Sequence, residues 1–174
     1  MTIKHITLLG TLLISTLTWS TASSAASLLG IYAGASVGKA EIANSDPKED
    51  STANKAYAGY RIFGPIAIEV ARVDLGEYGS LPTSIDGIAA DAVLYLPAGP
   101  INLFAKAGMF NWNVDYNGFL PAETGTDSKF GFGLEYNIFL NIDFRLEYEK
   151  YTGVGGTTIN EDISMISAGV NIAF

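Results

Sequence analysis

Cysteine is absent from the 174-residue chain, and histidine occurs once, as His5. The first absence excludes a disulfide framework, a thiolate nucleophile and any Cys-ligated zinc site. The second leaves no imidazole beyond residue 5, so no catalytic dyad or triad built on histidine can form there. Long hydrophobic runs are also missing. The apolar stretch Ile6 to Leu17 covers about 12 residues and is diluted by Thr7, Gly10, Thr11, Ser15 and Thr16, whereas a membrane-crossing helix needs about 20. Basic charge is scarce as well: ten Lys and Arg stand against eighteen Asp and Glu, a net charge of −8, which argues against nucleic acid as a partner.

What is present is a chain too apolar for disorder and of a length that fits one folded domain, with 48% hydrophobic and 16% charged residues. Its start reads as a cleavable export signal over residues 1–26: Lys4 supplies the positive end, Ile6 to Leu17 the apolar core, and Ser23-Ser24-Ala25-Ala26 the small-residue cleavage site. Cleavage is expected after Ala25 or Ala26, leaving 27–174 as the mature domain. Without another long apolar run, that domain can meet a bilayer only as strands.

Eight runs alternate with period two, the spacing of strands with one apolar face. They fall near 28–38, 55–63, 66–74, 88–96, 101–113, 129–137, 140–150 and 163–174. In the third, Ile66, Ile68 and Val70 oppose Ala67, Glu69 and Ala71; in the seventh, Ile142, Phe144, Leu146 and Tyr148 oppose Asp143, Arg145, Glu147 and Glu149. A soluble β-sandwich would bury the apolar faces between sheets, whereas a membrane barrel turns them outward and keeps small or polar groups inside. The second face carries mid-strand charges of both signs together with Gly30, Gly34, Gly59, Gly108, Gly131, Gly133 and Gly169. Exposed strand glycines weaken a sheet, but in a narrow barrel they make room for larger inward neighbours.

Connections alternate between tight (64–65, 97–100, 137–139) and long (39–54, 75–87, 114–128, 151–162). This predicts an all-β, eight-stranded antiparallel up-and-down transmembrane β-barrel, with short turns and both termini periplasmic and four acidic loops outside. Phe63, Trp112, Tyr116, Phe139, Tyr148, Tyr151 and Phe174 lie near strand ends, where interfacial aromatic girdles are expected.

The chain ends on Phe174 with Ile172, Val170, Ala168 and Ile166 at alternate positions. Together with Ala67-Ile68-Glu69-Val70-Ala71-Arg72-Val73-Asp74-Leu75-Gly76 and Phe104-Ala105-Lys106-Ala107-Gly108, the mature chain resembles the OmpA-type transmembrane domain and its OmpX-like and opacity-like relatives. The resemblance implies a Gram-negative outer membrane, recognition of Phe174 by the assembly machinery, contact with lipid and lipopolysaccharide, and a monomer whose loops meet surface ligands. It does not imply peptidoglycan binding, which in that family belongs to a further domain. It also implies inward charges that pair and close the lumen, or exchange partners to open it slightly. The matching positions are Arg61, Glu69, Asp91, Lys106, Glu135, Arg145 and Glu147, with Arg61, Glu69 and Glu135 nearer the periplasmic end. Buried charges are costly unless paired, so a hydrogen-bonded network is expected there.

No enzyme, cofactor or metal site is expected. Glu147 and Glu149 are a carboxylate pair, but neighbours on one strand of a narrow barrel leave no room for a sugar. Gly153-Val154-Gly155-Gly156 lacks the Lys and Thr of a phosphate loop, and the acidic loops lack a twelve-residue calcium spacing. The functional expectation is a structural, surface-interacting barrel with a charge-plugged lumen; a narrow small-solute channel is the alternative. N-terminal sequencing of the exported protein should begin at Ala26 or Ser27; retention of residues 1–25 would refute the signal assignment.

Overall fold

The computed structural model describes residues 30–43, 50–78, 83–116, 121–155 and 161–174. The export signal at 1–26 and the loop segment 44–49 lie outside the described residues. Eight strands follow one another: β1 (Ile31–Ile42), β2 (Asp50–Phe63), β3 (Ile66–Tyr78), β4 (Thr83–Ala98), β5 (Ile101–Asp115), β6 (Glu123–Phe139), β7 (Ile142–Val154) and β8 (Glu161–Ala173). Each pairs antiparallel with its sequence neighbours, and β8 pairs with β1, closing the barrel in the order of the chain. The seam continues to the end of the chain, where the Phe174 amide donates to the Ile31 carbonyl at 2.9 Å.

The strands are longer than the alternation of apolar residues suggested, and the excess lies on the long-loop side. β4 begins at Thr83 rather than near 88, β6 at Glu123 rather than 129, and β7 runs to Val154 rather than 150. The physical reason is a reversal of pattern within each strand. Nearer the short turns the outward positions are apolar, as with Ile66, Ile68 and Val70 on β3 or Leu96, Leu94 and Ile88 on β4. Further along the same outward file they turn polar: Lys39, Arg72, Asp86, Asn111, Ser128, Lys150 and Ser164. At that level the inward positions become large and apolar, with Val73, Leu75, Ile85, Phe110, Trp112, Val114, Ile163 and Met165 all buried. The ladder does not stop there; only the side-chain chemistry changes sides. Strands of 12 to 17 residues exceed the 9–11 or so that suffice to cross a bilayer.

Two sequence expectations change accordingly. The lumen is not small and polar throughout, because its long-loop half is an apolar core. Trp112, Tyr116 and Tyr151 point into that core rather than into an outer girdle, since they share the parity of Lys106 and Glu149 on their strands. Phe63, Phe139 and Phe174 do face outward, at 57–67% exposure.

Inward glycines let aromatic rings lie flat across the neighbouring strand. Tyr32 pairs with Gly59 and Tyr57 with Gly34, and each ring covers the glycine opposite it; Phe104 likewise covers its partner Gly133, and Trp112 covers Gly125. A Cβ at any of these glycines would overlap the ring. Gly59→Ala should therefore destabilise the barrel by about 1–3 kcal/mol through overpacking, read from urea unfolding in lipid vesicles.

Candidate functional site

Strand parity sends four cations and four carboxylates to one level of the lumen. Lys55 comes from β2, Glu69 from β3, Asp91 from β4, Lys106 from β5, Lys129 from β6, and Arg145, Glu147 and Glu149 from successive inward positions of β7. All eight side chains are at most 1% exposed. At such burial an unpaired charge is strongly unfavourable, so the partners decide whether the layer is tolerable.

Each charge has at least two partners. Glu69 accepts from Arg145 Nη1 at 2.9 Å, Lys106 Nζ at 3.1 Å and the Tyr32 hydroxyl at 3.1 Å. Glu149 sits among three lysines, Lys55 and Lys129 at 2.6 Å and Lys106 at 2.7 Å. Glu147 bonds both Lys55 and Lys106 and approaches Arg145 Nε at 3.4 Å. Asp91 pairs with Lys129 at 2.9 Å and Lys106 at 3.6 Å. The layer is electrically balanced, and Lys106, which touches four carboxylates, is its hub.

Toward the short turns the layer rests on aromatic rings. The Arg145 guanidinium lies between Tyr57 and Phe104, at 4.4 and 4.3 Å from their centroids, and Tyr32 packs edge-on against Tyr57 and Tyr95. Guanidinium faces are weakly hydrated and bind π-systems well, so the rings offset part of the loss of water. Below them Glu135 bridges Arg145 at 3.5 Å and Arg61 at 3.7 Å; Arg61 stacks on Tyr95 and, at 39% side-chain exposure, faces the open end. On the long-loop side Lys129 lies 5.1 Å from the Tyr151 centroid, and Tyr151 packs on Phe110 at 4.8 Å. The charge layer is thus capped directly by the apolar core.

All seven charged residues singled out in the sequence point inward. Glu69, Asp91, Lys106, Arg145 and Glu147 share the central layer, and Glu135 and Arg61 lie below it. Lys55, Lys129 and Glu149 complete that layer and were missed as site residues. Each stands at the long-loop end of a run bounded by its outward apolar face; counting by two from Tyr57, Gly131 and Glu147 reaches all three. Phe174 takes no part and faces outward beside the β8–β1 seam. Among the described residues no cluster of three or more His, Cys, Asp or Glu is arranged to hold a metal ion.

Above the apolar band a second, exposed set of pairs rings the wall: Lys39–Asp50 at 2.6 Å, Arg72–Asp86 at 2.9 Å and Lys150–Asp162 at 2.7 Å. The hydrogen bonds from Lys39 and Lys150 hold the Asp50 and Asp162 carboxyls below their usual range. Exposed pairs of this kind are screened by water and salt, and contribute little to stability.

A family model described as the outer membrane protein beta-barrel domain matches residues 9–174. Among solved structures, Neisserial surface protein A aligns at 21% identity and a TM-score of 0.70, covering 83% of this chain and 97% of that one. The N-terminal β-barrel domain of Pseudomonas aeruginosa OprF aligns at 16% and 0.63, covering 84% and 98%. The outer membrane enzyme PagL aligns at 13% and 0.51, covering 82% and 99%. No curated protein matches the chain in sequence.

Removing one member of the buried layer leaves its partners uncompensated. Arg145→Met should lower the unfolding free energy by about 3–5 kcal/mol, measured by urea titration in vesicles, while Arg72→Ala on the rim should fall within error of the wild type. Equal effects would contradict the burial argument.

Proposed function

The chain belongs to the outer membrane protein beta-barrel family, and within that family we propose that it is a closed scaffold rather than a pore. In this reading the signal peptide exports it to the outer membrane of a Gram-negative bacterium. Its short turns and termini face the periplasm, and its acidic loops are presented to lipopolysaccharide and surface ligands. It acts as a monomer, recognised during assembly through its terminal Phe174, and it needs no cofactor.

The observation that carries this reading is the stacking of two buried layers across one lumen. In the balanced charge layer every side chain is already paired with another, and the core above it, from Phe110 and Tyr151 through Trp112 and Ile163, fills the lumen with buried rings and aliphatic side chains that offer a permeating ion few polar partners. Exchange of partners among Lys106, Arg145 and their carboxylates would loosen the first layer without opening the second. A non-catalytic role is supported by the absence of histidine and cysteine beyond residue 5 and by the capture of Glu147 and Glu149 by lysines. The family fold itself admits catalysis, as PagL is an enzyme, so this part of the reading rests on the residues of this chain.

Planar-bilayer recording on the purified barrel tests it. The wild type and Lys106→Ala should both give no steady conductance, because the apolar core remains in each. A steady wild-type current abolished by Lys106→Ala or Arg145→Ala would instead establish a small-solute channel.

A further inference from the structure

The three short turns occupy equivalent places in the meander but do not carry equivalent residues. The β2–β3 turn is Gly64-Pro65 and the β4–β5 turn is Gly99-Pro100; in each the glycine takes the left-handed conformation, with φ of 52° and 68°, and open space surrounds it. The β6–β7 turn places Leu140 there instead, at φ 44°, the one non-glycine residue with positive φ among the described residues. A branched apolar side chain in that region is strained, and glycine relieves the strain at both sister turns. An observed outlier of this kind calls for a reason to keep the side chain.

Packing within the protein does not supply one. Leu140 is 64% exposed, its neighbours Phe139 and Ile138 are 65% and 58% exposed. The backbone, by contrast, is held firmly. Asn137 Nδ2 donates to the Leu140 carbonyl at 3.1 Å and to Asp143 Oδ1 at 2.8 Å, and Asn141 Nδ2 donates to the Ala173 carbonyl at 2.8 Å. A clamped, strained turn thus displays three large apolar side chains beyond the barrel wall. They are continuous with the outward apolar band: Ile138 extends the file of Phe132 and Tyr136, and Ile142 pairs with Ile172 close to the exposed Phe174.

We propose that the β6–β7 turn is a membrane anchor, with Phe139 and Leu140 entering the headgroup–acyl boundary of the leaflet on the short-turn side and fixing the depth of the barrel at this point of its circumference. Continuity with the band selects lipid as the occupant. The β4–β5 turn, flanked only by Ala98 before its glycine, carries no such side chains and marks the part of the rim left to water. The inference rests on the outer-membrane reading, and the test separates the two.

The chain has no cysteine, so single nitroxide labels at Leu140→Cys, Gly99→Cys and Val70→Cys report one site each in barrels folded into phosphatidylcholine vesicles. Collision with oxygen relative to a water-soluble nickel chelate reads the surroundings. The ratio at 140 should approach that at Val70, in the middle of the band, and exceed that at Gly99 several-fold. Phe139→Cys, at the strand end where the register shifts but φ is not positive, should give the same result without replacing the strained residue. If 139 and 140 match Gly99 while Val70 reads as lipid, the anchor is refuted and the membrane reading stands. If Val70 also reads as water, both are lost.

Discussion

Closure of the backbone hydrogen-bond ladder is the constraint on which everything else in this structure depends. In an apolar surrounding each unpaired N–H or C=O costs several kcal/mol, so a strand protein can tolerate lipid only if it has no edge. The β8–β1 seam removes that edge, and once it is made no residue is free to choose its side. Successive side chains alternate between lumen and surroundings along each strand, except where the register shifts near the strand ends at Phe63, Gly76, Phe139 and Val154. A single parity therefore assigns Glu69, Lys106 and Arg145 to the interior and Ile68, Ala107 and Leu146 to the outside.

The reversal along each strand follows from applying that fixed parity to two different surroundings. Where outward positions are Ile, Val, Leu and Phe, the inward ones include the buried charges, glycines and the aromatic floor of Tyr32, Tyr57, Tyr95 and Phe104; where they become Lys, Arg, Asn and Ser, the inward ones become Val, Ile, Phe and Trp. The first stretch suits a lipid exterior, the second a watery one, in which the upper barrel keeps an ordinary apolar core. The same eight strands thus serve as a membrane wall below and as a small globular β-domain above. In the closed-scaffold reading, the second part shuts the first.

The strand count, the antiparallel order and the inward face of every predicted charge were legible in the sequence because period two survives any surroundings. Strand length was not, because the apolar residues that mark a run change faces at about Arg72 on β3 and Asp86 on β4, where the count by outward residues ends. Lys55 and Lys129 open the runs at 55–63 and 129–137, with no apolar outward residue before either to mark it as part of the lumen rather than of the loop. Trp112 and Tyr151 were legible as strand-end aromatics, but parity rather than position decides their side. That Glu149 gathers three lysines depends on which strands face each other across the lumen, and barrel closure alone sets that.

Glu69 and Arg145 join the aromatic floor to the charge layer. Their interdependence is the account's central claim, since a layer of mutually required pairs rigidifies the lumen, whereas independent charges would only tolerate burial. A double-mutant cycle with Glu69→Met and Arg145→Met, with unfolding followed in vesicles, measures it directly. The account predicts that the double variant is more stable than the sum of the single losses allows, by about 2 kcal/mol or more. Additive losses would mean that the two charges do not depend on one another and would contradict it.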